Sequence, residues 1–185
     1  FPFPSSLFPL PPSLFPVMKS SAAQCRFLLT VFEQATAGLN DSHRAIEPQP
    51  GAKTAGWIVG HLCVTGDFAR KLCGRKALCP IEWRALFNPG TTPSRNAGDY
   101  PPMATLTAKL CEVYTDLCSA ALAADPGALT IANPFTPARS AFPTAGDFVP
   151  YLLAGHLAYH TGQLVAWRSA AGLGRIRDVV AQAMA

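Results

Sequence analysis

Apolar side chains recur every three or four residues along most of the chain, which is the spacing of one face of an α-helix. Leu28, Phe32 and Ala35 show this pattern in the first such segment. No segment alternates apolar and polar residues in the manner of a β-strand. Capping and breaking residues divide the pattern into four predicted helices, which run from Ser20 or Ser21 to about Leu39, from Thr54 to Gly74, from about Thr105 to Asp125 and from Thr144 to Gly172.

The connections between these helices differ in length. About a dozen residues join the first two helices, whereas residues 75–104 form a much longer connection that is rich in Pro, Gly and Asn. Such a segment can travel the length of a helix, so the third helix can lie parallel to the second. We therefore predict an all-α fold, a four-helix bundle with a long crossover between the second and third helices. The long loop 127–143 would join the crossover as a lid or pocket wall.

Residues 1–17 differ from the rest because proline alternates with large apolar side chains and no charge is present. Recurrent proline removes amide donors and clashes with preceding carbonyls, so this stretch is not expected to be helical. We predict a disordered Pro-rich extension at 1–17, ahead of a functional start at Met18, and a bundle domain at 18–185. A genuine Pro-rich tail is the alternative.

Composition restricts the partners. Apolar stretches are interrupted by Gly, His, Thr, Asp or Arg, so none is long enough to cross a bilayer, and a cytoplasmic protein without a membrane partner is expected. The net charge of +4 is spread along the chain, which argues against nucleic acid as a partner. The six cysteines lack a tight Cys-x-x-Cys pair, and no secretory signal precedes them. Reduced thiols are therefore expected.

Two histidines four residues apart, His156 and His160, lie in the fourth predicted helix on the face that carries Leu153 and Leu164. Their rings therefore point towards the core, where each needs a hydrogen bond or a metal ion. His61 lies in the second predicted helix, also among apolar residues. The three histidines are candidate ligands of one metal ion. Hydrogen-bonded core histidines are the alternative.

The segments Trp57-Ile-Val-Gly-His61-Leu and Gly155-His-Leu-Ala-Tyr-His160-Thr-Gly-Gln163-Leu resemble the DinB-like superfamily of metal-binding bundles, also described by its YfiT-like members. The resemblance extends over nearly all of residues 18–173. It implies that His61, His156 and His160 bind one divalent metal, and that the bundle has a long crossover between its second and third helices. Some members are similar to thiol-dependent S-transferases.

Three imidazole ligands leave a coordination position open, which is typical of catalytic metal sites. Zinc or nickel is the expected ion, with iron or manganese as alternatives. We expect a metal-dependent thiol transferase or hydrolase that takes a small-molecule substrate or thiol. The alternative is a non-catalytic metal-binding or stress-response bundle that acts by ligand binding or as a homodimer. No catalytic residue beyond the ligands is identified, and Gln163 is expected to orient a ligand ring, hold a water or make a helix–helix hydrogen bond.

Overall fold

The computed structural model describes residues 14–176. Helices joined by loops make up this part of the chain, and it contains no β-strand. The all-α prediction is therefore confirmed for this part of the chain. A π-helical segment, Tyr151–His156, continues the fifth helix directly into the sixth. The α-helices are α1 (Leu14–Thr36), α2 (Ala55–Leu72), α3 (Trp83–Phe87), α4 (Met103–Ala123), α5 (Ala145–Pro150) and α6 (Leu157–Ala170).

Two predicted helix starts are confirmed in detail. The Thr54 hydroxyl accepts a hydrogen bond from the backbone amide of Trp57 at 3.3 Å and caps α2. Thr144 and Asp147 form a reciprocal capping box at the start of α5. In each case a side-chain oxygen satisfies an amide that has no partner inside the helix.

The predicted start of α1 is wrong. The helix begins at Leu14 rather than at Ser20 or Ser21, so part of the stretch predicted to be non-helical is its first turn. Pro16 is compatible with this turn because the first amides of a helix need no intrahelical partner. Met18 is buried at the start of the core-facing stripe of α1. The predicted disorder of residues 1–13 lies outside the described residues.

The second helix, α2, is the centre of the packing, and every residue from Ala55 to Asp67 in it is buried. It packs against α3, α4 and the C-terminal helical segments, while α1 packs against α4 and α6. Close approach depends on small residues in α2. A Cβ atom at Gly60 would overlap the buried ring of Phe87 in α3, and one at Gly66 would lie 2.8 Å from Tyr114 in α4.

The C-terminal helical region is interrupted at Pro150, the last residue of α5. Proline lacks the amide that would bond to the carbonyl of Gly146, and the wider π-helical turn follows immediately. A Cβ atom at Gly155 would lie 2.9 Å from the ring of Tyr151, so glycine lets that ring pack along the segment. The π-helical segment ends at His156.

The long connection between α2 and α4 contains α3, which the sequence pattern did not predict. Trp83 and Phe87 fix this short helix to the core with 5% and 0% exposure, respectively. None of the helices in residues 14–176 is both long enough and apolar enough to cross a membrane. All six cysteines are free thiols, as predicted.

We expect Gly60→Ala to lower the free energy of unfolding by about 1–3 kcal/mol, because the added methyl group must displace the Phe87 ring. Gly162→Ala is the matched control, since nothing lies within 4 Å of a Cβ atom at that helical position. This control should stabilise the protein by about 0.5–1 kcal/mol. Urea titration of both variants measures the effect. Equal stability of the two variants would contradict the proposed close packing of α2 and α3.

Candidate metal centre

Three histidine rings from two helical regions meet at one point in the core. Each offers one nitrogen, and these nitrogens lie within 4.8 Å of one another. The ring centroids are 5.2 Å apart for His61 and His156, 4.7 Å for His61 and His160, and 4.5 Å for His156 and His160. The predicted convergence of the three side chains is confirmed, and the cluster is able to hold a metal ion.

The ring of His61 is fixed by two contacts. Its Nδ1 lies 2.7 Å from the carbonyl oxygen of Phe87, and because a carbonyl only accepts, Nδ1 carries the proton and Nε2 carries the lone pair. The indole ring of Trp57 stacks on the imidazole at 4.7 Å between centroids, with an angle of 7° between the planes. The Trp57 Nε1 in turn donates to the hydroxyl of Thr91 at 2.9 Å. Both contacts leave Nε2 free to bind a cation.

His160 is oriented in the same way by its own helix. Its Nδ1 donates to Oε1 of Gln163 at 2.8 Å, which leaves Nε2 with a lone pair. Of the roles considered for Gln163, the structure therefore selects ring orientation. A hydrogen bond to the outer nitrogen of a ligand histidine fixes the tautomer and raises the basicity of the other nitrogen.

His156 completes the cluster and provides the test of fit for a metal. Its Nε2 lies 3.3 Å from Nε2 of His61, and its Nδ1 is buried without a hydrogen-bond partner. Two nitrogen lone pairs at this distance need a proton or a cation between them. Nitrogen ligands about 2.0–2.1 Å from a tetrahedral zinc ion are themselves about 3.3 Å apart. The donor set and this spacing fit a divalent metal.

Burial keeps all three imidazoles neutral near pH 7, as ligands must be. Loss of hydration lowers the pKa of His61, and the nearby Lys53 lowers it further. Burial, with the neighbouring histidines, lowers the pKa of His156 to about 3. Burial and His61 lower the pKa of His160 to about 4, against the opposing effect of the hydrogen bond to Gln163.

Two other residues of metal-ligand type, His43 and Asp67, lie outside the cluster. His43 accepts a hydrogen bond from the amide of Asn40 at 3.0 Å and so belongs to a turn. Asp67 pairs with Arg70 at 2.7 Å. It also accepts hydrogen bonds from the backbone amides of Leu78 and Cys79 at 2.9 and 3.2 Å. The Asp67 carboxylate therefore fixes the start of the crossover to α2.

A cavity of about 490 Å³ opens beside the cluster, with His61 and His156 in its wall. Its volume is within the range of small-molecule sites. The crossover supplies Arg84 and Asn88 to the lining, and the loop 127–143 supplies Phe142. Both long loops therefore form part of a pocket wall, as their lengths predicted.

The cysteines are poorly suited to act as nucleophiles here. Cys79 lines the cavity, but burial raises its pKa to about 12, and burial raises the pKa of Cys73 to about 11. Cys63 is buried and its thiol faces the carbonyl of Leu106 on α4, away from the histidines. A thiol with a raised pKa carries little thiolate at neutral pH.

A family model described as the DinB superfamily matches residues 24–164, which include all three histidines. The chain therefore belongs to the DinB superfamily. Comparisons with curated proteins and with solved structures give no match.

Several parts of the site escaped the sequence analysis. Trp57 precedes His61 by one helical turn, so the spacing places both rings on one face of α2, but it does not distinguish stacking on the imidazole from core packing. The sequence pattern did not indicate that the Phe87 carbonyl contacts His61. A backbone acceptor has no side-chain signature, and α3 was not predicted. The aromatic residues of loop 127–143 were likewise missed, since their convergence depends on the path of the loop.

We expect the metal-free protein to lose stability as the pH falls from about 6.5 towards 4. The folded-state pKa values of the three histidines lie below the unfolded value of 6.5, so the unfolded chain takes up protons first. The free energy of unfolding should fall by up to about 1.4 kcal/mol per pH unit for each histidine. Thermal melting between pH 7.5 and 4.5 in the presence of a chelator measures this loss.

The His156→Gln variant should show a shallower pH dependence, because one titrating ring is removed. His43→Gln is the matched control and should keep the slope of the wild type. A melting temperature that stays constant across this pH range would contradict the burial of three neutral imidazoles.

Proposed function

We propose that the protein binds one divalent metal ion through His61, His156 and His160 and acts as a metal-dependent transferase or hydrolase. The observation that carries the proposal is the 3.3 Å separation of the Nε2 atoms of His61 and His156, where the Nε2 atom of His61 carries a lone pair. Histidines that are buried only as part of the core would be expected to find a hydrogen-bond partner for both ring nitrogens. Instead, two of the three direct their Nδ1 protons outward and leave their Nε2 atoms directed inward.

We also propose the topology of a four-helix bundle with a long crossover. The thiol of Cys63 contacts Leu106 at 3.5 Å, and further along both helices Arg70 contacts Asp116 at 2.7 Å. Contacts that advance in the same direction along α2 and α4 support a parallel arrangement. A parallel pair requires the intervening chain to return over the full length of a helix.

A bound divalent ion with an open position would supply electrophilic activation of a water, a thiol or a substrate oxygen. The chain's own contribution is to hold the ligands and to shape the surroundings. Phe87 and Gln163 fix two ring tautomers, and Trp57 covers one face of His61. Zinc or nickel is the proposed ion, with iron or manganese as the alternatives, because imidazole binds all four.

Metal content tests the ligand assignment. Protein purified without a polyhistidine tag should contain about one divalent ion per chain by elemental analysis. His61→Ala, His156→Ala and His160→Ala should each lose most of it, because two imidazoles bind too weakly to retain the ion. Gln163→Leu should weaken the affinity about 10- to 100-fold, since the ring of His160 loses its orienting partner.

His43→Ala is the matched control, because this histidine lies outside the cluster, and it should retain full occupancy. Circular dichroism confirms that each variant is folded, and the polar replacement His156→Gln serves if the alanine variant unfolds. Full occupancy in folded His156→Ala or His156→Gln would exclude the three-histidine site.

A second candidate function is a non-catalytic metal-binding or stress-response bundle that acts by ligand binding or as a homodimer. One observation favours it. Among the described residues that line the cavity, Asp67 is the one carboxylate, and it is held by Arg70 and two amides. No free carboxylate of this described lining is therefore available as a general base.

Assays with low-molecular-weight thiols plus electrophilic acceptors, and with ester substrates, separate the two functions. A transferase or hydrolase should turn over at least one pair with metal bound, and His156→Ala should abolish the turnover. Cys73→Ala and Cys79→Ala should each leave the rate unchanged, because burial raises the pKa values of these two thiols and disfavours the nucleophilic thiolate. A fully metal-loaded protein without turnover would favour the non-catalytic bundle.

A further inference from the structure

The cavity beside the histidines has one aromatic wall. Four rings form a continuous group with centroid separations of 5.9 Å for Phe135–Phe148, 5.5 Å for Phe142–Phe148 and 4.7 Å for Phe142–Tyr151. All four side chains line the cavity. Offset aromatic faces at these distances stabilise a further flat ring packed against them. The wall therefore favours a ligand with a flat apolar body.

The lining of the same cavity has more positively than negatively charged side chains. Lys71 and Arg84 both line it, and neither forms a salt bridge within the described residues. Asp67 is the negative group, but Arg70 neutralises it at 2.7 Å within the protein. The Nζ atom of Lys71 lies 5.9 Å from the centroid of the Phe68 ring. The cavity thus presents to a ligand two positive charges that have no ion-pair partner within the described residues.

The two cations come from different elements of the cavity wall. Lys71 follows His61 on α2 by almost three turns, which is about 15 Å along the helix axis. Arg84 lies one turn before Phe87 on α3, and both cationic residues are exposed to solvent. Because the buried histidines and the exposed cations line the same cavity, a ligand can reach both. An anionic group fits the cationic mouth, and an apolar body fits the aromatic wall.

We propose that the site takes a small organic anion with a flat apolar body, of the arylcarboxylate type. Its anionic group pairs with Lys71 and Arg84, its body packs on the wall formed by Phe135, Phe142, Phe148 and Tyr151, and its opposite end faces the histidines. This inference deepens the proposed function and rests on it only for the reaction at that opposite end. Recognition of the anion depends on the two cations and not on the metal ion.

Isothermal titration calorimetry with 2-naphthoate and the neutral 2-naphthalenemethanol tests the proposal on the full chain. The two probes share the aromatic body and differ in charge. After chelator treatment, the wild-type protein should bind 2-naphthoate at least about 10-fold more tightly than the alcohol. Arg84→Gln and Lys71→Gln should each weaken 2-naphthoate about 3- to 10-fold and leave the alcohol unchanged.

Arg26→Gln is the matched control, because it removes the same charge from an exposed position of α1 outside the cavity, and it should leave both affinities unchanged. Phe142→Leu should weaken both probes to a similar extent, since it removes a ring from the wall. All three cationic side chains are exposed, so these variants are expected to fold, and thermal melting verifies this.

The proposal would be overturned if the wild type bound the two probes with equal affinity. It would also be overturned if Arg84→Gln and Arg26→Gln changed the affinity for 2-naphthoate by the same factor. It would also be overturned if 2-naphthoate bound only to metal-loaded protein and its affinity were the same in Lys71→Gln and Arg84→Gln as in the wild type. The anion would then bind the metal ion. Failure of the metal site is separately visible in the elemental analysis. If the protein as purified contained no metal but bound 2-naphthoate selectively, this inference would be supported while the elemental analysis would contradict the three-histidine metal centre.

Discussion

Removal of three imidazole rings from water at one point is the constraint on which the rest of the structure depends. Each ring loses its hydration, so burial lowers all three pKa values and the rings stay neutral. A neutral imidazole has one donor and one acceptor, and the fold supplies acceptors for His61 and His160 only on their outer sides. The inner nitrogens are thereby directed at a common point, and a divalent cation satisfies them together.

The packing of α2 connects this constraint to the fold. Gly60 allows α3 to approach closely enough for the Phe87 ring to lie over α2, and the Phe87 carbonyl then reaches the ring of His61. The crossover is therefore more than a connection between two helices, since it supplies the hydrogen bond that sets one tautomer. Asp67 lies six residues beyond His61 on α2, in the wall of the cavity, and anchors the start of the same segment through two backbone amides. Site geometry and core packing share these residues.

The surroundings of the cluster determine which ligands can approach it. Aromatic rings from loop 127–143 and from α5 exclude water from one side of the cavity, while Lys71 and Arg84 give its mouth a positive charge. Neither feature alone defines a substrate. Together they support our proposal of a ligand with an apolar body and a negative charge.

The sequence by itself determined the four long helical segments, the caps at Thr54 and Thr144, and the three histidines. Helical periodicity and capping are local, and all of their signals lie within a few turns of chain. The start of α1 was predicted too late in the chain, because the sequence pattern does not distinguish a proline in the first turn of a helix from one that breaks a helix. The burial of Met18 in the core shows that the helix has already begun. Only the tertiary structure decided the partners that give these residues their chemistry. The Phe87 carbonyl, the aromatic wall and the unpaired cations are brought to the histidines by the paths of two long loops, and local patterns do not encode contacts between segments so distant in the chain.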